Sequence, residues 1–165
     1  MSVVRFIADL HLGHENMAIK RGFESAEIQD EFIVKQWNAI INKRDTTYIL
    51  GDITMETKKH YPTLDRLNGR KIVVLGNHDM PKDTAELMKY VEKVAGMIKY
   101  KGMFLTHCPI HTMELDHRIS RNIHGHIHEN QVMKDKNTPD PRYHCVSCER
   151  VDYIPRTLLE LGIER

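Results

Sequence analysis

Lys71-Ile72-Val73-Val74-Leu75-Gly76-Asn77-His78-Asp79 is the stretch that decides how this chain folds. A short apolar run with β-branched residues at its centre has the length and composition of a buried strand. It opens directly into a glycine and then into side chains that bind metals or move protons. The same arrangement recurs on either side. Residues 3–8 lead into Asp9-Leu10-His11, and 46–50 into Gly51-Asp52. Residues 103–106 lead to His107, and the strand over 122–126 runs into Gly125-His126-Ile127-His128. Together the clusters supply two Asp, one Asn and four or five His, the donor set that two divalent ions sharing a carboxylate would take.

Between the strands of the first half, periodicity predicts helices. Ile28, Phe32, Ile33, Trp37, Ile40 and Ile41 fall at helical spacing over 25–42, with Ser25 at the start. A shorter amphipathic helix is expected over 56–68 (Tyr61, Leu64, Leu67), stopping at Asn68-Gly69, and another over 82–94 after Pro81. The second half is strand-rich: 95–100, 103–106 and 122–126, with a turn at Lys101-Gly102, a loop over 108–121, a last strand near 142–148 and a short closing helix over 156–161. Strand–helix alternation followed by strands predicts an α/β fold, a mixed sheet or two packed sheets flanked by helices. The polar stretch 134–141 reads as a surface loop.

At 165 residues the chain suits one domain with a real core. A charged fraction of 28%, a hydrophobic fraction of 41% and a net charge of +1 are ordinary for a globular protein. They give no electrostatic footprint for nucleic acid or an anionic membrane. No apolar run approaches the roughly eighteen residues of a membrane span. Three Cys without a framework favour a reducing compartment. A cleavable leader would remove Asp9 and His11, so the expectation is a cytoplasmic protein without one.

In extended backbone, residues i and i+2 point the same way. Asp9 with His11, and His126 with His128, then offer paired donors while Leu10 and Ile127 face the core. A glycine before Asp52, Asn77 and His126 lets the backbone come close. Carboxylate, imidazole and amide donors suit Mn²⁺ first, with Fe, Zn²⁺ or Ni²⁺ as alternatives. Two such ions about 3.5–4 Å apart can hold a bridging water and clamp a phosphoryl oxygen. A His close to the ions without binding them is the natural general acid, and His78 fits, with Asp79 orienting its imidazole and raising its pKa.

The order Asp-x-His, Gly-Asp, Gly-Asn-His-Asp, His, Gly-His-x-His, running from Asp9 to His128, resembles the calcineurin-like metallophosphoesterases. The opening Asp-Leu-His-Leu-Gly-His-Glu-Asn is similar to that of small stand-alone bacterial and phage phosphoesterases. The resemblance implies one domain over 1–165 and a four-layer αββα sandwich of two mixed sheets. It implies one ion held by Asp9, His11, Asp52 and His128, and a second by Asp52, Asn77, His107 and His126, with Asp52 bridging and His78 as acid. Ile127 stands where Thr is common, and Cys108 where an aromatic residue is frequent.

Other residues carry plainer readings. His14 and Asn16 are candidate contacts to a substrate phosphate, weighed against a helix-capping neighbourhood. His124 stays outside the ligand set, either behind the ligands or structural. His111, His117, Arg118 and Arg121 read as solvated loop residues, Lys20-Arg21 as solvated surface, Trp37 as core, and Cys145 and Cys148 as small buried residues of a strand. The expected substrate is a small or nucleotide phosphodiester, with phosphomonoesters as the rival. A protein-binding scaffold is the reading from another class, disfavoured because every ligand position and His78 are retained.

Overall fold

The computed structural model describes residues 2–115 and 118–163; His117 lies outside them. The apolar runs of the first half form β1 (Val4–Ile7), β2 (Thr46–Leu50) and β3 (Arg70–Val74), joined by the short β4 (Lys93–Ala95). All pair in parallel, in the order β1-β2-β3-β4. A parallel sheet needs cover on both faces, which matches the buried Phe6, Ile7, Ile49, Leu50, Val73 and Val74. The second sheet is β5 (Ile98–Tyr100), β6 (Met103–Leu105), β7 (Arg121–His124) and β8 (Tyr143–Cys145). Its β5–β6 hairpin is antiparallel and its other pairs are parallel. The hairpin turns at Lys101 (φ 47) and Gly102 (φ 75), the left-handed pair that matches strand twist.

The sheets meet beyond the ends of β1 and β8. Ala8 N–H donates to Val146 C=O at 2.8 Å and Cys148 N–H to Ala8 C=O at 3.1 Å. This is an α/β fold of two four-stranded sheets with helices, consistent with a sandwich. The four strands of the first sheet run parallel, and an antiparallel bridge from Phe6 of β1 to Arg156 adds the mixed pairing at its edge. Among the described residues the α-helices all precede the second sheet: α1 (Glu15–Lys20), α2 (Ala26–Ile40) and α3 (Thr84–Leu87).

In α2 the Ser25 hydroxyl accepts the Ile28 N–H at 3.3 Å, the expected cap. The buried face is Ala26, Gln29, Asp30, Ile33, Val34 and Trp37, with Ile28 exposed. The apolar stripe is therefore rotated from the expected one and carries two polar residues, both of which support the site. Trp37 is core, its indole N–H donating to Asn68 C=O at 2.9 Å.

Several expected elements differ. The helix over 56–68 is a 3-10 turn over Tyr61–Arg66; Tyr61, Leu64 and Leu67 are buried as expected, but from an irregular segment. The helix over 82–94 is a 3-10 turn (Pro81–Asp83) and the single turn of α3, because residues 93–95 are drawn into the first sheet. The strand over 95–100 is two strands in different sheets, divided at Gly96-Met97. The strand near 142–148 stops at Cys145, with Cys148 in a 3-10 turn, and 156–161 forms turns rather than a helix. No helix among the described residues is long and apolar enough to cross a membrane.

Candidate metal centre

The clusters follow the carboxyl ends of β1, β2, β3, β6 and β7, where open α/β sheets bind ligands. Their backbone is not the extended chain that side-chain parity assumes. Asp9 (φ 57), His11 (φ 48), Asp52 (φ 53), His126 (φ 71) and His128 (φ 51) are all left-handed. Non-glycine residues seldom adopt this region, at a cost of about 1–3 kcal/mol each, and such residues gather at functional sites. Left-handed turns, not a pleat, aim these side chains, and they gather Asp9, His11 and His128 together. Leu10 is buried as expected, while Ile127 is only half-buried.

Backbone bonds hold this shape. Asp9, His11 and Leu12 N–H groups donate to the carbonyls of Gly51, Asp52 and Ile53 at 3.0, 3.0 and 2.8 Å. A Cβ on Gly76 would stand 2.2 Å from Asp52 Oδ1 and 2.5 Å from Asp52 N. Any side chain there would displace the β2 loop from the β3 loop.

His107 donates its Nδ1–H to Leu50 C=O at 2.8 Å, so its Nε2 faces the site and offers a lone pair there whenever the ring is neutral. Around that nitrogen stand Asn77 Oδ1 at 2.9 Å, His126 Nδ1 at 3.2 Å and Asp52 Oδ2 at 3.3 Å. Lone pairs converging in this way call for a proton or a cation. Burial opposes charging His107, yet the Asp52 carboxylate beside it raises its pKa. Both ring nitrogens of His11 are buried without a hydrogen-bond partner, its Nε2 lying 3.9 Å from Asp52 Oδ2. Burial, then Arg21, pulls the His11 pKa down to about 3, so a second proton does not satisfy this ring. Ligand atoms of Asp9, His11 and His128 lie within 4.8 Å of one another, as do those of Asp9, Asp52 and His107. Several His and Asp groups here could therefore hold metal ions.

Asp9 also accepts the Ser147 hydroxyl at 2.6 Å and the His126 N–H at 3.0 Å, while burial keeps its pKa raised. Burial acts the same way on Asp52, but His107, the His78 N–H and His11 together outweigh it and lower the pKa. The structure thus brings Asp9, His11, Asp52, Asn77, His107, His126 and His128 into one cluster.

His78 sits at the same mouth, half-buried. Its N–H donates to Asp52 Oδ1 at 3.0 Å, and its ring stands 6.0 Å from that of His11. Its Nδ1 faces Glu56 Oε1 at 3.2 Å, not Asp79. The expected orienting role of Asp79 is corrected by its bonds. Its carboxylate takes the N–H groups of Asp52 (2.8 Å), Gly76 (2.8 Å) and Ile53 (3.0 Å), pinning two ligand loops together. His14 precedes α1 without a side-chain capping bond, its ring 5.7 Å from that of His11 and its Nδ1 buried without a partner. Asn16 is exposed in α1. His124 is buried in β7, donating Nδ1–H to Gly125 C=O at 2.8 Å, and burial pulls its pKa down to about 4. His111 accepts a local N–H from Met113, and Arg118 is exposed.

Sequence reasoning missed the supports. Arg21, read as solvated, has a side chain only 1% exposed. Its guanidinium donates to Asp9 C=O (2.7 Å), Leu10 C=O (3.2 Å), Gln29 Oε1 (3.0 Å) and Glu149 Oε1 (2.7 Å). Gln29 donates to His11 C=O at 3.2 Å, and Asp30 accepts the Gly13 N–H at 3.0 Å. Glu149 meets His128 Nδ1 at 3.1 Å, which turns Nε2 of that ring toward the site as carboxylate–histidine–metal arrangements do. Burial would raise the Glu149 pKa, but His128 and Arg21 bring it down to about 2. Cys108 also escaped notice: its thiol and one nitrogen each of His107 and His126 lie within 4.8 Å of one another.

No family model matches the chain. The gene 66 protein of Mycobacterium phage L5 is 40% identical over 86 residues, 49% of this chain and 42% of the phage protein. A crystal structure of a protein of unknown function from Aquifex aeolicus aligns over 98% of both chains with TM-score 0.69 and 26% identity. An uncharacterized protein of Methanocaldococcus jannaschii is 31% identical over 168 residues, covering 96% of this chain and 88% of its own. At that identity and coverage, this chain belongs to the family of the uncharacterized Methanocaldococcus jannaschii protein.

Proposed function

We propose that this chain is a metal-dependent phosphoesterase of the calcineurin-like type, acting by preference on phosphodiesters of small molecules or nucleotides. The observation that carries this reading is the set of bare donors around His107 Nε2, with Asn77, His126 and Asp52 within 3.3 Å of it. Asp9, His11, Asp52 and His128 would hold one ion, and Asp52, Asn77, His107 and His126 the other, with Mn²⁺ the first to try. Bound there, such ions supply Lewis acidity toward water and a phosphoryl oxygen.

The residues of the chain supply the rest. Asp52 Oδ1 is fixed by the His78 N–H, so the shared carboxylate and the acid hold one relative position. The His78 ring, half-buried at the mouth with Glu56 at Nδ1, leaves Nε2 to give a proton to the departing oxygen. Glu149 and Arg21 keep His128 and the Asp9 loop from turning as charge builds. His14, at the same mouth, is a candidate contact for the substrate phosphate.

The test is hydrolysis of bis-p-nitrophenyl phosphate beside p-nitrophenyl phosphate, with Mn²⁺, Zn²⁺, Fe²⁺ or Ni²⁺ added to stripped protein. Faster turnover of the diester supports the reading, and faster turnover of the monoester reassigns the substrate class. Inactivity on both with every metal overturns it.

A further inference from the structure

We propose that Cys108 is a metal ligand through Sγ, sharing an ion with His107 and His126 and biasing that half of the centre toward Zn²⁺ or Fe²⁺ over Mn²⁺. The inference rests on the metal-centre reading above.

The placement carries it. Cys108 Sγ and one nitrogen each of His107 and His126 lie within 4.8 Å of one another. Donors about 2.0–2.3 Å from one ion are at most about 4.6 Å apart, so three donors gathered this closely can share one ion after a small adjustment. His107 is held by its bond to Leu50 C=O, while Cys108 and His126 face solvent on the open side. The thiol is not there through slack in a loop. The buried Asn122 amide donates to Thr106 Oγ1 at 2.9 Å and to Phe104 C=O at 3.1 Å. Thr106 Oγ1 in turn donates to Cys108 C=O at 2.7 Å, and Asn122 Oδ1 accepts the Ile110 N–H at 3.1 Å. This network fixes residues 106–110, so the Cys108 thiol is carried on the same rigid corner as the His107 ring.

The other cysteines are differently used. Cys145 Sγ–H donates to His128 C=O at 3.4 Å, and Cys148 is fully buried, its thiol pushed up to about 12 by burial.

The binding step balances simply: the S–H bond breaks, its proton leaves to solvent, and the sulfur lone pair forms the bond to the ion. Thiolate is a soft donor that suits Zn²⁺, Co²⁺ and Fe²⁺ better than Mn²⁺.

Co²⁺ titration of the metal-stripped full chain tests this. Visible d–d bands report binding, and a near-ultraviolet sulfur-to-cobalt charge-transfer band reports thiolate ligation. Wild type should give both, and Cys108→Ser, an exposed and nearly isosteric change, should keep the d–d bands and lose the charge-transfer band. Charge transfer that survives in Cys108→Ser, or d–d bands without charge transfer in wild type, overturns the thiolate assignment and leaves the metal centre standing. Absence of Co²⁺ binding by equilibrium dialysis overturns both. As an independent readout, Zn²⁺ should slow iodoacetamide alkylation of Cys108 while Mn²⁺ leaves it unchanged. Equal protection by both ions would contradict the bias.

Discussion

Asp79→Asn separates a carboxylate that holds the site together from one that takes part in its chemistry. Asp79 is 3% exposed, and its two oxygens accept three backbone N–H groups, two at Oδ2 and one at Oδ1. The best placement of Asn keeps its carbonyl at the Oδ2 position and turns an NH₂ against the Ile53 N–H. One buried donor is then left unmade, at about 1–3 kcal/mol, and two charge-assisted bonds become neutral, at about 1 kcal/mol each. Burial disfavours the Asp79 charge and raises its pKa, so part of this is returned. A net loss on the order of 2–4 kcal/mol remains, worth roughly 5–15 °C in Tm for a chain of this size. Urea and thermal melts in excess chelator measure the loss free of metal linkage. Because Asp79 pins both the Asp52 loop and the Gly76 loop, metal affinity should fall together with stability. Unchanged melting with full metal content and lost turnover would refute this reasoning and return Asp79 to a role at His78.

His78→Ala should abolish most phosphodiester turnover while the bound metal, measured by elemental analysis, stays at the wild-type level; loss of metal would make His78 a ligand. Asp52→Asn should weaken both ions in one titration, and loss of only one would contradict a shared carboxylate. Glu149 has its folded pKa depressed to about 2 from an ordinary 4.5, so the stability it contributes is present above 4.5 and lost as pH falls toward 2. Glu149→Gln should flatten the acid limb of urea midpoints in the metal-free protein, and an unchanged limb would show that the pair with His128 and Arg21 contributes nothing. Arg21→Lys keeps the charge but loses the planar fork that serves four acceptors. It should loosen metal binding at Asp9 and His11 first, seen as biphasic metal loss under a chelator, and a single wild-type-like phase would argue otherwise.

The clustered side chains were legible in the sequence because each follows a strand whose apolar composition announces it, and the strand ends of both sheets meet at one place. The geometry that makes them converge was not. Parity along an extended chain paired Asp9 with His11 and His126 with His128, yet the structure turns these residues into left-handed backbone, which Asp and His do not advertise as glycine would. Helical spacing misled over 56–68 and 82–94 because a 3-10 turn or irregular loop can bury residues three apart just as a helix does. The face of α2 was displaced because Gln29 and Asp30 are buried for their hydrogen bonds to the loop at His11 and Gly13 rather than for hydrophobicity. Arg21 and Glu149 lie 128 positions apart, and nothing local to either marks the contact. These residues explain how a strained loop persists. Five ligand positions in disfavoured backbone would relax if their carbonyls and N–H groups could find other partners. Arg21, Gln29 and Asp79 take up backbone groups of Asp9, His11 and Asp52, and Asp9 takes the His126 N–H, so relaxing those turns would leave polar groups unpaired. The fold itself thus aims the side chains of the cluster, and the cost of aiming them is met during folding.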